Sequence, residues 1–85
     1  MIFFTYIIET TNTKGVIQYY TGYTKDLKKR VALHKRGKGA KFCRGKECKL
    51  VYFETFETRS EAMKRENEIK KLGQIKKIKL IKGEN

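Results

Sequence analysis

Apolar residues along the 85-residue chain gather in short runs, and the spacing inside each run points to an element. Residues 3–9 are rich in aromatic and β-branched side chains and lack a helical period, which predicts a strand. Most of these positions are apolar, so both faces of that strand are expected to be covered. Residues 16–21 predict a second strand of the same character. Between them Asn12, Lys14 and Gly15 suit a turn. So short a connection leaves room only for an antiparallel hairpin. Gly22 is expected to end the second strand. Thr24 as N-cap and Asp26 in the first turn then predict a helix over residues 25–36. Residues 50–56 have the composition of a third strand. Thr58 and Glu61 stand at capping-box spacing before a helix over residues 59–72. Gly73 breaks it, and a last short helix covers residues 75–81. The order is β-β-α-β-α-α in one α+β domain, with its core over residues 3–81 and a tail at 82–85 expected to fray.

The helical period sharpens two positions. At 100° per residue, Leu27, Val31 and His34 share a stripe of the first helix with Arg30 at its edge. On the second helix Ala62, Met63, Ile69 and Leu72 make an apolar arc, and Glu66 falls near its middle. A carboxylate there costs free energy unless it is paired or binds a metal. An ion pair with Arg30 or a nearby lysine is one solution. The other is a ligand for a divalent cation, with substrate phosphate and water completing the shell.

Charge narrows the partners. Twenty-one Lys and Arg against nine Asp and Glu give a net charge of +12. Such a field draws polyanions and speeds their encounter, and nucleic acid gains counterion release with each phosphate neutralised. A membrane surface would want large apolar side chains opposite the basic ones; the helices carry neither Trp nor Phe. The basic segment between the first helix and third strand, with Lys35, Arg36, Lys38, Lys41, Arg44 and Lys46, is the expected phosphate-tracking surface. Phe42 is expected to pin that segment to the core. Cys43 and Cys48 make a poor zinc site, because four ligands are needed and only His34 is at hand to help. Two free thiols are the simpler expectation. The apolar N-terminus has no preceding positive region and is too short for a signal peptide or a membrane span. A cytoplasmic protein is expected.

Tyrosines at 6, 19, 20 and 23 add a further element. Successive strand residues face opposite ways, so Tyr19 and Tyr20 cannot serve one site. A phenol close to a cation or an arginine favours its phenolate and can take a proton from water. An arginine binds phosphate bidentately, and His34 is the single group that titrates near neutrality unperturbed.

Taken in order, Tyr6-Ile7, Tyr20-Thr21-Gly22, Arg30, His34 and Glu66 resemble the GIY-YIG nuclease superfamily, in its small stand-alone form. Thr5 stands for Gly in the first triplet and Thr21 for Ile in the second; neither replaces a reacting side chain. The region around Ile78 is apolar where some members carry an Asn. The resemblance implies a three-stranded antiparallel sheet flanked by helices. It also implies phosphodiester hydrolysis with one divalent cation, Mg²⁺ or Mn²⁺, and no small-molecule cofactor. Glu66 would hold the metal. Tyr20 would act as, or help form, the general base, and Arg30 would bind the scissile phosphate. Tyr6 and His34 would position water or assist proton transfer. DNA is expected ahead of RNA, in repair or processing. A nucleic-acid-binding module without cleavage is the alternative on the same fold. A basic structural protein would leave the position of Glu66 unexplained.

Overall fold

Four consecutive residues, Thr5 to Ile8, are buried on one strand, so both of its faces are covered. That strand, β1 (Phe3–Thr11), is the middle of a three-stranded sheet. The computed structural model describes residues 1–35 and 46–83. It places β2 (Ile17–Thr24) on one side of β1 and β3 (Glu47–Phe56) on the other, both antiparallel. The helices are α1 (Leu27–Lys35), α2 (Arg59–Lys70) and α3 (Gln74–Ile81), giving the expected β-β-α-β-α-α order. The β1–β3 register shifts between Ile7 and Ile8. Such an irregularity bends and twists a strand locally.

Asn12 shapes the hairpin turn. Its Oδ1 accepts from the backbone N–H groups of Lys14 (2.8 Å) and Val16 (3.0 Å), and Gly15 takes a left-handed φ of 81°. Gly22 does not end β2. It pairs with Tyr6 inside the strand, which continues through Thr24 opposite Phe4. Asp26, not Thr24, caps α1: Asp26 Oδ1 accepts from the N–H of Lys29 at 3.0 Å, three residues on. Thr24 instead takes the Asp26 N–H at 3.1 Å, turning the chain from strand into helix. The third strand begins at Glu47, earlier than its apolar run, because Glu47 to Lys49 pair with the polar end of β1.

Register sorts the side chains into two faces. Tyr6 and Ile8 form one core with Tyr20, Leu27, Cys48 and Leu50, and α1 lies on that face. Thr5 and Ile7 point the other way, under α2. Thr58 caps α2, accepting from the Glu61 N–H at 3.2 Å and donating to its carboxylate at 2.9 Å. Ala62 and Ile69 are fully buried. Met63, placed on the apolar arc by the helical wheel, is 41% exposed; it sits at the arc's margin, beyond the reach of the sheet. Lys82 and Gly83 close α3 through bonds to the carbonyls of Ile78 and Leu80. Glu84 and Asn85 lie outside the described residues.

Candidate active site

The site begins where a tyrosine crosses a glycine. Tyr6 of β1 lies opposite Gly22 of β2. A Cβ on Gly22 would sit 2.6 Å from the Tyr6 hydroxyl and 2.8 Å from its ring carbon Cζ, so the missing side chain is the space the phenol occupies. The phenol oxygen then meets His34 Nε2 at 3.0 Å. Tyr20, on the same face, completes a three-ring cluster, with its centroid 5.2 Å from the imidazole and 6.5 Å from the Tyr6 ring. Tyr19 faces away and its hydroxyl donates to Glu9 at 3.4 Å, as strand alternation requires. Burial, then the carboxylate of Glu9, raises the Tyr19 pKa.

His34 is 1% exposed. Burial first, and the positive charge of Arg30 second, hold its pKa below the usual 6.5. At neutral pH the imidazole is therefore uncharged, and its Nε2 is able to accept the phenol proton. The ring stands behind Tyr6 and not in the cleft in front of it. It adjoins the cleft through the Tyr6 hydroxyl and the Tyr20 ring.

That cleft, of about 650 Å³, is lined by Tyr6, Tyr20, Arg30 and Glu66, four of the five residues expected to carry chemistry. It gathers both faces of the sheet at the β2 edge. Tyr6, Tyr20 and Arg30 come from the α1 side and Glu66 from α2. Gly22, without a side chain at that edge, also lines it.

Glu66 is aimed by the way α2 is held. Thr5 Oγ1 donates to the Ala62 carbonyl at 2.8 Å, fixing the helix over β1. Toward β3, Arg65 Nε donates to both carboxylate oxygens of Glu54 (2.9 and 3.2 Å), and Tyr52 donates to the same carboxylate. The neighbouring residue, Glu66, is thereby turned toward β2 and the cleft. Its side chain is 15% exposed, and Lys70 Nζ stands 3.6 Å from Oε2. The pair is thus with a lysine on its own helix and not with Arg30.

The donor set suits a hard cation. Glu66 offers carboxylate oxygens in a cleft where the other acid, Asp26, has Oδ1 engaged as the α1 cap. No group of three His, Cys, Asp or Glu converges among the described residues. A cation held here would take most of its shell from water and phosphate oxygens, as Mg²⁺ does.

Of the residues expected to track phosphate, Arg36, Lys38, Lys41 and Arg44 lie outside the described residues, as do Phe42 and Cys43. Lys46 Nζ donates to Gln18 at 3.2 Å on the far part of β2. Lys35 lies on the opposite side of α1, beside a groove with Phe4, Leu27, Val31 and Leu50. Neither lines the cleft. The cations that do, besides Arg30, are Lys25, Lys29 and Arg59. The sequence carried a usable signal for Arg59: it precedes Glu66 by seven residues, two helical turns, and so shares its face.

No helix among the described residues is long and apolar enough to cross a membrane. The GIY-YIG catalytic domain, as a family pattern, matches residues 2–79. A UPF0213 protein of Staphylococcus saprophyticus is 52% identical over 63 residues, covering 73% of this chain and 77% of that protein. A UPF0213 protein of Staphylococcus aureus is 46% identical over 80 residues, or 93% of each. The solution NMR structure of a UPF0213 protein from Bacillus halodurans is similar at a TM-score of 0.55 and 38% identity, covering 96% of this chain and 84% of that one. On a match that spans nearly all of its length, the chain belongs to the GIY-YIG catalytic domain family, a nuclease superfamily.

Proposed function

We propose that the protein is a metal-dependent endonuclease that hydrolyses phosphodiester bonds in nucleic acid, DNA ahead of RNA, within the cell's repair or processing of DNA. The observation that carries this reading is that Tyr6, Tyr20, Arg30 and Glu66 line one cleft on a chain of net charge +12.

Each side chain has a task it is chemically suited to. Arg30 binds the scissile phosphate through its guanidinium fork and meets the charge that grows there. Tyr20 takes a proton from the attacking water. Tyr6 orients that water through its hydroxyl, which is hydrogen-bonded to neutral His34 behind it. Glu66 holds Mg²⁺ or Mn²⁺. When bound, the cation supplies Lewis acidity toward the phosphoryl oxygen and steadies the leaving oxygen.

The test is a panel of labelled DNA and RNA structures incubated with Mg²⁺ or Mn²⁺, comparing wild type with Glu66→Ala and Tyr20→Phe. Metal-dependent cleavage that disappears in both variants is expected. Cleavage at equal rates in wild type and Glu66→Ala would overturn the mechanism. Salt-sensitive binding with no turnover under either metal would leave a binding module instead.

A further inference from the structure

Two arginines of α2 stand in opposite electrostatic circumstances. Arg65 is neutralised by Glu54 at 2.9 Å and Glu68 at 3.3 Å. Arg59, six residues earlier, has no carboxylate partner among the described residues. It lines the cleft, and its Cζ lies 5.8 Å from the centroid of the Phe3 ring, which lines the cleft beside it. A guanidinium within about 6 Å of an aromatic centroid is attracted by the ring face. This contact orients the group while leaving its N–H donors available, since the ring accepts none of them in the plane of the fork.

The spacing of Arg59 from Glu66 is set by the helix. Arg59 and Glu66 are seven residues apart on one face of α2, which is roughly 10 Å along the axis at 1.5 Å per residue. Each strand of duplex DNA carries one phosphate per about 3.4 Å of axis. Because the backbone winds around that axis, adjacent phosphates stand roughly twice that far apart, and the two positions are separated by about one to two nucleotide steps. Lys25 and Lys29 on the facing wall belong to the same cleft, so a strand lying along it meets cations from both helices.

The geometry points to a second phosphate subsite, made by Arg59 on its Phe3 platform, that grips the backbone of the cleaved strand about one to two nucleotides from the scissile phosphate. The inference rests on the nuclease reading, since it takes Glu66 as the end of the cleft where the strand is cut. It assigns Arg59 to binding and register. The contact is made equally in ground and transition states, so its loss weakens binding and leaves the chemical step alone.

Binding is measured by fluorescence anisotropy with a short labelled DNA duplex, in a Glu66→Ala background so that the substrate survives. Adding Arg59→Ala is expected to lower the slope of log affinity against log salt by about 0.9, the value of one duplex phosphate contact. Arg59→Lys should restore the slope. Phe3→Leu keeps the charge and loses the platform, so it should weaken binding about two- to five-fold with the slope retained. A neutral methylphosphonate scanned along the strand should abolish the effect of Arg59→Ala at one position, about one to two steps from the cleavage site of the wild-type protein. An unchanged slope in Arg59→Ala, or an effect independent of where the methylphosphonate stands, overturns the subsite. Binding that follows these expectations without cleavage by wild type would sink the nuclease reading and with it the register to a scissile bond. No binding by wild type overturns both.

Discussion

The hydroxyl of Tyr6 lies 2.6 Å from the point where a side chain on Gly22 would begin. The phenol has nowhere to retreat, because Tyr20 and His34 close in on it from the same face. Gly22→Ala should therefore push the ring from its place and break the Tyr6–His34 bond. Overpacking of this kind costs about 1–3 kcal/mol. Under the proposed mechanism, in which that hydroxyl orients water, cleavage should fall by at least about tenfold. Thermal unfolding and single-turnover rates check this together. An alanine variant with wild-type stability and rate would show that the ring yields freely.

The buried imidazole of His34 makes stability depend on pH. Its folded pKa lies below the usual 6.5, through burial and then Arg30. Between the two values the unfolded chain binds more protons than the folded one, so stability rises with pH in that window. The contribution is complete above about 6.5, the unfolded value. It is lost as pH falls toward the folded pKa. Urea midpoints from pH 5 to 7.5 should show a decline in wild type on acidification that is shallower in His34→Gln. Parallel profiles for the two proteins would contradict the assignment.

Thr21 carries a buried cost. Its residue is 3% exposed and its hydroxyl has no hydrogen-bond partner among the described residues. An unsatisfied buried polar group costs about 1–3 kcal/mol. Thr21→Val keeps the shape and removes the hydroxyl, and should stabilise the protein by about 1 kcal/mol. Its melting temperature should rise by about 4–8 °C. The position faces α2 and not the cleft, so cleavage should be unchanged. A melting temperature at or below wild type would indicate that the hydroxyl is satisfied in solution.

Arg65 steers Glu66 without touching the cleft. Its forked bond to Glu54 fixes the rotation of α2 over β3. The pair is partly exposed, at 30% and 27%, so its loss in Arg65→Met should cost no more than about 1 kcal/mol. The Mg²⁺ concentration giving half-maximal cleavage should nonetheless rise several-fold, because the neighbouring carboxylate loses its aim. Titrating the metal at constant ionic strength separates the two effects. An unchanged half-maximal concentration would reduce Arg65 to a structural role.

How much of this was readable beforehand depends on the range of the forces involved. Strands and helices were legible because their signals are local: a period, a cap, a turn residue. Boundaries moved where tertiary pairing overrode that signal. Gly22 looked like a terminator, yet it is held in β2 by Tyr6, a partner on another strand. Thr24 and Asp26 are both competent caps, and only the path of the turn decided between them. The tyrosines, Arg30 and Glu66 could be ordered from the sequence, and Glu66 was marked by its place on an apolar arc. That His34 would be sealed behind Tyr6 was not legible, because it follows from the space over Gly22. Nor was Arg59: its helical phase with Glu66 was available, but nothing local said that Arg65 would be the arginine consumed by acids.

Because β1 is the middle strand, the two halves of the cleft are expected to form at different stages of folding. The hairpin β1–β2 closes across a short turn, and α1 follows directly, so Tyr6, Tyr20, Gly22 and Arg30 come together through local contacts. Glu66 waits for β3 to return and pair with β1, Phe3 with Phe56, before α2 has a surface to settle on. Contacts so distant along the chain form late. A chain emerging from the ribosome is thus expected to assemble Tyr6, Tyr20 and Arg30 first and to add Glu66, the proposed metal carboxylate, last. On the nuclease reading, an incompletely folded copy is expected to bind nucleic acid without cutting it.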